Sequence, residues 1–98
     1  MRLAEKKRPI HISIREYDSI HVCKHFIYEG LSRNDVLAQI KALPLVEIHE
    51  IYLYRSSISL KGKHNLVPFS MTITDRSITL TMIEDKNNIF ENAILSIT

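Results

Sequence analysis

At 98 residues, with 45% apolar and 24% charged side chains, the chain is long enough for one domain with a real core and too apolar to stay disordered. A formal net charge of +2 is too small to mark a nucleic-acid or membrane-surface binder by itself, and the lone Cys23 excludes an internal disulfide framework. No apolar run has the length of a membrane span and the first residues lack a signal-peptide core, so the expectation is a cytoplasmic protein.

Residues Met1 to Arg8 show no periodicity and precede Pro9, which reads as an arm ahead of one domain over residues 9–98. Arg2, Lys6, Lys7 and Arg8 gather positive charge in that arm. From Pro9 onward Ile10, Ile12 and Ile14 alternate with His11, Ser13 and Arg15, the pattern of a half-buried strand. A second strand is expected from Ser19 to Tyr28. A turn through Glu16, Tyr17 and Asp18 sets Ile14 against Ile20 and Ile12 against Val22, forming a hairpin.

Gly30 ends that strand, and Ser32 with Asp35 marks a helix start, because the Ser hydroxyl can accept from the third helical amide. Val36, Leu37, Ile40 and Leu43 then follow at helical spacing, so an amphipathic helix is predicted over about 32–43, stopping before Pro44. From Val46 to Tyr54 the pattern is strand-like with a change of parity, which a bulge near His49 and Glu50 would reconcile. Ile51 and Leu53 alternate there with Tyr52 and Tyr54, so both faces look covered and the strand is expected to be central. Ser57 to Leu60 reads as a shorter strand, and Lys61 to Asn65 as a polar loop.

The most sharply specified stretch is Leu66 to Ile83. Folding it at Asp75 and Arg76 sets Ile73 against Ile78, Met71 against Leu80 and Phe69 against Met82, while Ser70, Thr72 and Thr74 meet Thr81, Thr79 and Ser77. A slip of one residue would turn every apolar side chain to the other face, so the register is fixed if one face is buried. In the tail, Ile89, Phe90, Ala93, Ile94 and Ile97 recur at helical spacing behind Asn88 and Glu91 as candidate caps. Ala93 to Thr98 also alternates like a strand, and the helix is the favoured reading. The expected class is α+β: a mainly antiparallel sheet of two hairpins and a central strand, with both helices on one face.

Three groups of residues can carry chemistry. In the first hairpin the predicted register puts His11 across from Cys23, with His21 and His25 beside it. Imidazole and thiolate suit zinc or copper, yet no spacing matches a zinc pattern, so the expectation is no metal and no cofactor. The second is the outward face of the main hairpin: Ser70, Thr72, Thr74, Ser77, Thr79 and Thr81 without one charge, joined by Tyr52 and Tyr54 if they share it. That is a surface suited to docking a protein partner or a second copy of the chain. The third couples Arg2, Lys6, Lys7 and Arg8 with Lys61, Lys63 and His64, as a single-strand nucleic-acid binder would couple phosphate contacts to stacking tyrosines.

Neither a paired acid and base nor an activated nucleophile can be placed, so an enzyme is not expected. The reading favoured by the sequence is a small intracellular binding or regulatory domain that acts by protein contact through the hydroxyl and tyrosine face or a sheet edge. A nucleic-acid-binding module ranks second, and a metal-binding domain third.

Overall fold

The computed structural model describes residues 10–97, so the basic arm with Arg2, Lys6, Lys7 and Arg8 lies outside the described residues. Six strands form one antiparallel sheet: β1 (Ile10–Tyr17), β2 (Val22–Tyr28), β3 (Val46–Leu53), β4 (Ser57–His64), β5 (Val67–Thr74) and β6 (Ser77–Met82). Their order across the sheet is β1-β2-β6-β5-β4-β3. Helix α1 (Arg33–Ala42) carries the chain over the sheet from β2 to the far edge, and α2 (Ile89–Leu95) follows a single 3-10 turn at Lys86–Asn88. The fold is therefore α+β and mainly sheet, as the patterning requires.

The β5–β6 hairpin takes the predicted register, with Phe69 opposite Met82, Met71 opposite Leu80 and Ile73 opposite Ile78. All six of those side chains are buried, because strict alternation lets one face be wholly apolar. Asp75 and Arg76 lack the Gly or Asn that a two-residue turn favours. Thr74 compensates: its hydroxyl accepts from the Arg76 and Ser77 amides at 3.2 and 3.0 Å and shares a bond with the Ser77 hydroxyl at 2.8 Å.

Helix α1 begins as predicted. Ser32 Oγ accepts from the Asp35 amide at 3.0 Å and the Asp35 carboxylate receives the Ser32 amide at 3.4 Å. Val36 and Ile40 are fully buried, Leu37 and Leu43 partly so, and all four pack on the sheet core. Phe90, Ile94 and Ile97 join the same core from the C-terminal end, where the helical reading holds. One face of the sheet is thus covered by both helices, and among the described residues nothing covers the other, open face.

Several expectations are corrected by the structure. The first hairpin turns later than predicted, because the Asp18 carboxylate accepts from the Ile20 and His21 amides at 2.8 and 2.6 Å and fixes the turn over Asp18 to His21. The pairs become Ile12 with Phe26 and Tyr17 with Val22, and His11 lies opposite Ile27 rather than Cys23. A bulge between Ile12 and Ile14 then moves Ile14 to the open face and Arg15 to the helix face.

The second bulge falls where predicted, between Ile48 and Glu50, and brings Ile51 and Leu53 onto the face of Leu60 and Ile58. β3 is nevertheless an edge strand, not a central one, so Leu53 remains 73% exposed. The segment Lys61–His64 is strand, not loop, and the turn falls at Asn65 and Leu66, both in the left-handed region at φ 49 and 71. Gly62 explains how β3 and β4 pass so closely: a Cβ there would run into the Glu47 carbonyl oxygen and lie 2.9 Å from Ile48 Cα. Because the obstacle is backbone, Gly62→Ala should lower the free energy of unfolding by about 1 to 3 kcal/mol, as read from urea denaturation. An unchanged midpoint would show that the bulge relaxes freely.

Candidate functional site

The open face consists of ranks of side chains set by the cross-strand register. One rank runs Ile14, His25, Thr79, Thr72, Ser59, Tyr52, and the next runs Glu16, Cys23, Thr81, Ser70, Lys61, Glu50. The predicted hydroxyl residues therefore do come together, and Tyr52 shares their face. Tyr54, one residue past β3, closes the β3–β4 hairpin by donating its amide to Ser57 O at 2.9 Å. Tyr52 and Tyr54 are 42% and 59% exposed. The Tyr52 hydroxyl donates to Glu50 Oε1 at 2.8 Å, a bond that, with the glutamate charge, raises the tyrosine pKa.

Across β2, β6 and β5 the outward side chains are Cys23, His25, Ile27, Ser77, Thr79, Thr81, Pro68, Ser70, Thr72 and Thr74, with no Asp, Glu, Lys or Arg. His25 Nδ1 and the Thr79 hydroxyl lie 3.1 Å apart, and the Thr81 hydroxyl points at Cys23 Sγ at 3.8 Å. Exposed Ile14 and Ile27 bring apolar surface to the β1 end of the face.

The other predicted groups disperse. His11 is exposed across from Ile27, and His21 sits in the turn with Nδ1 3.8 Å from Asp18. Among the described residues no three His, Cys, Asp or Glu side chains gather as a metal set. Lys61 and Lys63 lie on the open face directly across from Glu50 and Glu47, which cancel them locally. His64 is not available to nucleic acid: it is 3% exposed on the helix face, its ring stacked on Phe90 at 4.2 Å.

What the sequence reading missed is a buried charge cluster under α2. Lys24, 1% exposed, donates to Asp85 Oδ2 at 2.7 Å and Asn88 Oδ1 at 3.0 Å, and stands 3.2 Å from Glu91 Oε1. Arg15 grips Glu91 with two bonds of 2.9 and 2.5 Å. Asp85 also receives the Phe90 and Glu91 amides, both at 2.9 Å, so it starts α2 in place of the predicted Asn88 and Glu91 caps. Burial alone would push the Asp85 and Glu91 carboxyls up. The bonds from Lys24, Arg15 and the two amides outweigh it and hold both below their ordinary values. A signal for Lys24 does exist, since it falls in step with Val22, Phe26 and Tyr28.

Beside this cluster lies a cleft of about 700 Å³ between the β1–β2 turn and the segment following β6. Its rim is apolar at Tyr17, Ile20 and Ile83, and Lys24 with Asp85 forms part of its floor. Asn87 and Asn88 next to it both adopt left-handed backbone, at φ 57 and 55. In comparisons with protein-family models, curated proteins and solved structures nothing matches this chain.

Two stability predictions follow from the buried groups. Replacing Lys24 with Met leaves the buried Asp85 without its cation and Glu91 with Arg15 alone, so unfolding in urea should become easier by about 3 to 5 kcal/mol. Acid should act in two windows. Burial, opposed by the charge of Asp85, lowers the His64 pKa, and among the described residues its Nε2 has no hydrogen-bond partner. The neutral ring is therefore the native form, and stability is complete above the ordinary value of 6.5 and declines as pH falls below it. A second decline follows at lower pH as the depressed Asp85 and Glu91 carboxyls take up protons. In His64→Phe the first decline should vanish and the second persist; a wild-type midpoint flat between pH 7 and 5 would contradict the assignment.

Proposed function

We propose that this domain is a non-catalytic cytoplasmic binding module that docks through its open sheet face, and that its partner is a second copy of the chain. The observation that supports this reading best is the absence of charge across three adjacent strands of an uncovered sheet. Exposed sheets usually carry Lys and Glu, which discourage contact with other chains. Here the centre offers hydroxyls instead. Each can both donate and accept, so two identical faces are able to satisfy one another.

The layout suits a two-fold pairing. An axis along the strands between Thr72 and Thr79 would reverse the rank and bring the Ile14 end of one copy over the Tyr52 end of the other, apolar against aromatic, with the like charges of Glu16 and Glu50 confined to the rim on the two edge strands. The sheet edges fit docking less well. β1 and β3 each contain a bulge and carry Arg15, Glu16, Glu47 and Glu50, which interrupt the regular ladder an added strand would need. The nucleic-acid reading loses His64 to the core and has Lys61 and Lys63 matched by glutamates.

Sedimentation at several concentrations tests the proposal. The wild type should associate and the Thr72→Lys, Thr79→Lys double variant should remain monomeric with an unchanged far-ultraviolet spectrum, because like charges would then meet at the centre of the face. Added salt should affect wild-type association little. Two indistinguishable monomers would overturn it.

A further inference from the structure

We propose that the cleft beside the buried charge cluster is a binding site for a small organic cation with an apolar body, an aliphatic or aromatic amine. Its volume of about 700 Å³ falls within the range of pockets that hold small molecules. Three large apolar side chains surround one hollow: Tyr17, Ile20 and Ile83 are 70%, 63% and 63% exposed. Gathered in this way they provide a surface that an apolar body would remove from water.

Charge selects the head group. Among the described residues Lys24 is the only Lys or Arg in the lining, and its ammonium group is already committed to Asp85, Asn88 and Glu91. Arg15 completes the cluster through Glu91, so two cations and two carboxylates cancel within it. The rim adds Asp18 and Glu84, with His21 as the one titratable base, held next to Asp18. Asp18 is occupied by the Ile20 and His21 amides; the Glu84 carboxylate has no hydrogen bond or ion pair among the described residues. An anionic ligand would meet the unpartnered Glu84 carboxylate, with Asp18 behind it, and no uncommitted Lys or Arg among the described lining residues. An ammonium group would meet Glu84, and the Tyr17 ring in the same lining can attract a cation through its quadrupole.

This inference is independent of self-association, because it rests on the hairpin end and the segment after β6. Three probes with one body test it: 4-phenylbutylamine, 4-phenylbutanol and 4-phenylbutyrate, titrated into isotopically labelled full-length protein and followed by amide resonances. The amine should shift residues 17–22 and 83–88 saturably, the alcohol more weakly, and the acid not at all. Glu84→Gln, at an exposed position, should weaken the amine by about two- to five-fold and leave the alcohol unchanged. Tyr17→Ser should weaken both. The proposal is overturned if the acid binds as tightly as the amine, if the shifts fall outside the cleft, or if no saturable shift occurs up to about 10 mM.

Discussion

The ammonium group of Lys24 under α2 is the contact on which the C-terminal part of the helical layer depends. A lysine taken out of water must recover its hydration from other groups, and here Asp85, Asn88 and Glu91 supply them. Those three residues lie far along the chain from Lys24, so one side chain on β2 determines where the 3-10 turn, the start of α2 and its first turn all rest. Arg15 secures the same helix from β1, and it faces the helix because β1 has an extra residue at its bulge. Phe90 then seats on His64 and Phe69, the second at 5.0 Å and nearly perpendicular, which continues the helix into the apolar core.

Two surfaces result, and both follow from this one-sided arrangement. With α1 and α2 committed to one face, the ranks of hydroxyls on the other have nothing from the described chain to cover them. At the β1–β2 end the helical layer stops short, leaving the cleft between Ile20 and Ile83 with the charge cluster as its base. Outward β2 residues such as Cys23 belong to the first surface, and inward ones such as Lys24 to the second. β2 therefore contributes to both by simple alternation.

How much of this could be read from the amino acids depends on whether the relevant pattern is local. The β5–β6 register was legible to the residue because six apolar and six hydroxyl side chains all agree, and the capping of α1 was legible from Ser32 and Asp35. The first hairpin was misread because its register is decided by two bonds to Asp18 and by a bulge, neither of which interrupts the Ile10, Ile12, Ile14 alternation. β3 looked central because Ile51, Tyr52, Leu53 and Tyr54 are all large, whereas in the structure that corner is simply exposed. The burial of Lys24 and His64 was harder to read: Lys24 does fall in step with Val22, Phe26 and Tyr28, but the partners that make a buried polar group tolerable lie sixty-one and twenty-six positions away.

The order of the strands also divides the sheet into two parts with different folding costs. β3, β4, β5 and β6 are joined by short turns and can zip together as a meander, each pairing made soon after the last. The junction of β2 with β6 is unlike these: Ile27 must find Ser77 across the whole meander and α1, so its loop-closure entropy is met late and in a single step. Native-state hydrogen exchange should find this seam the line along which the molecule parts, the first hairpin leaving with α2 while the meander stays closed.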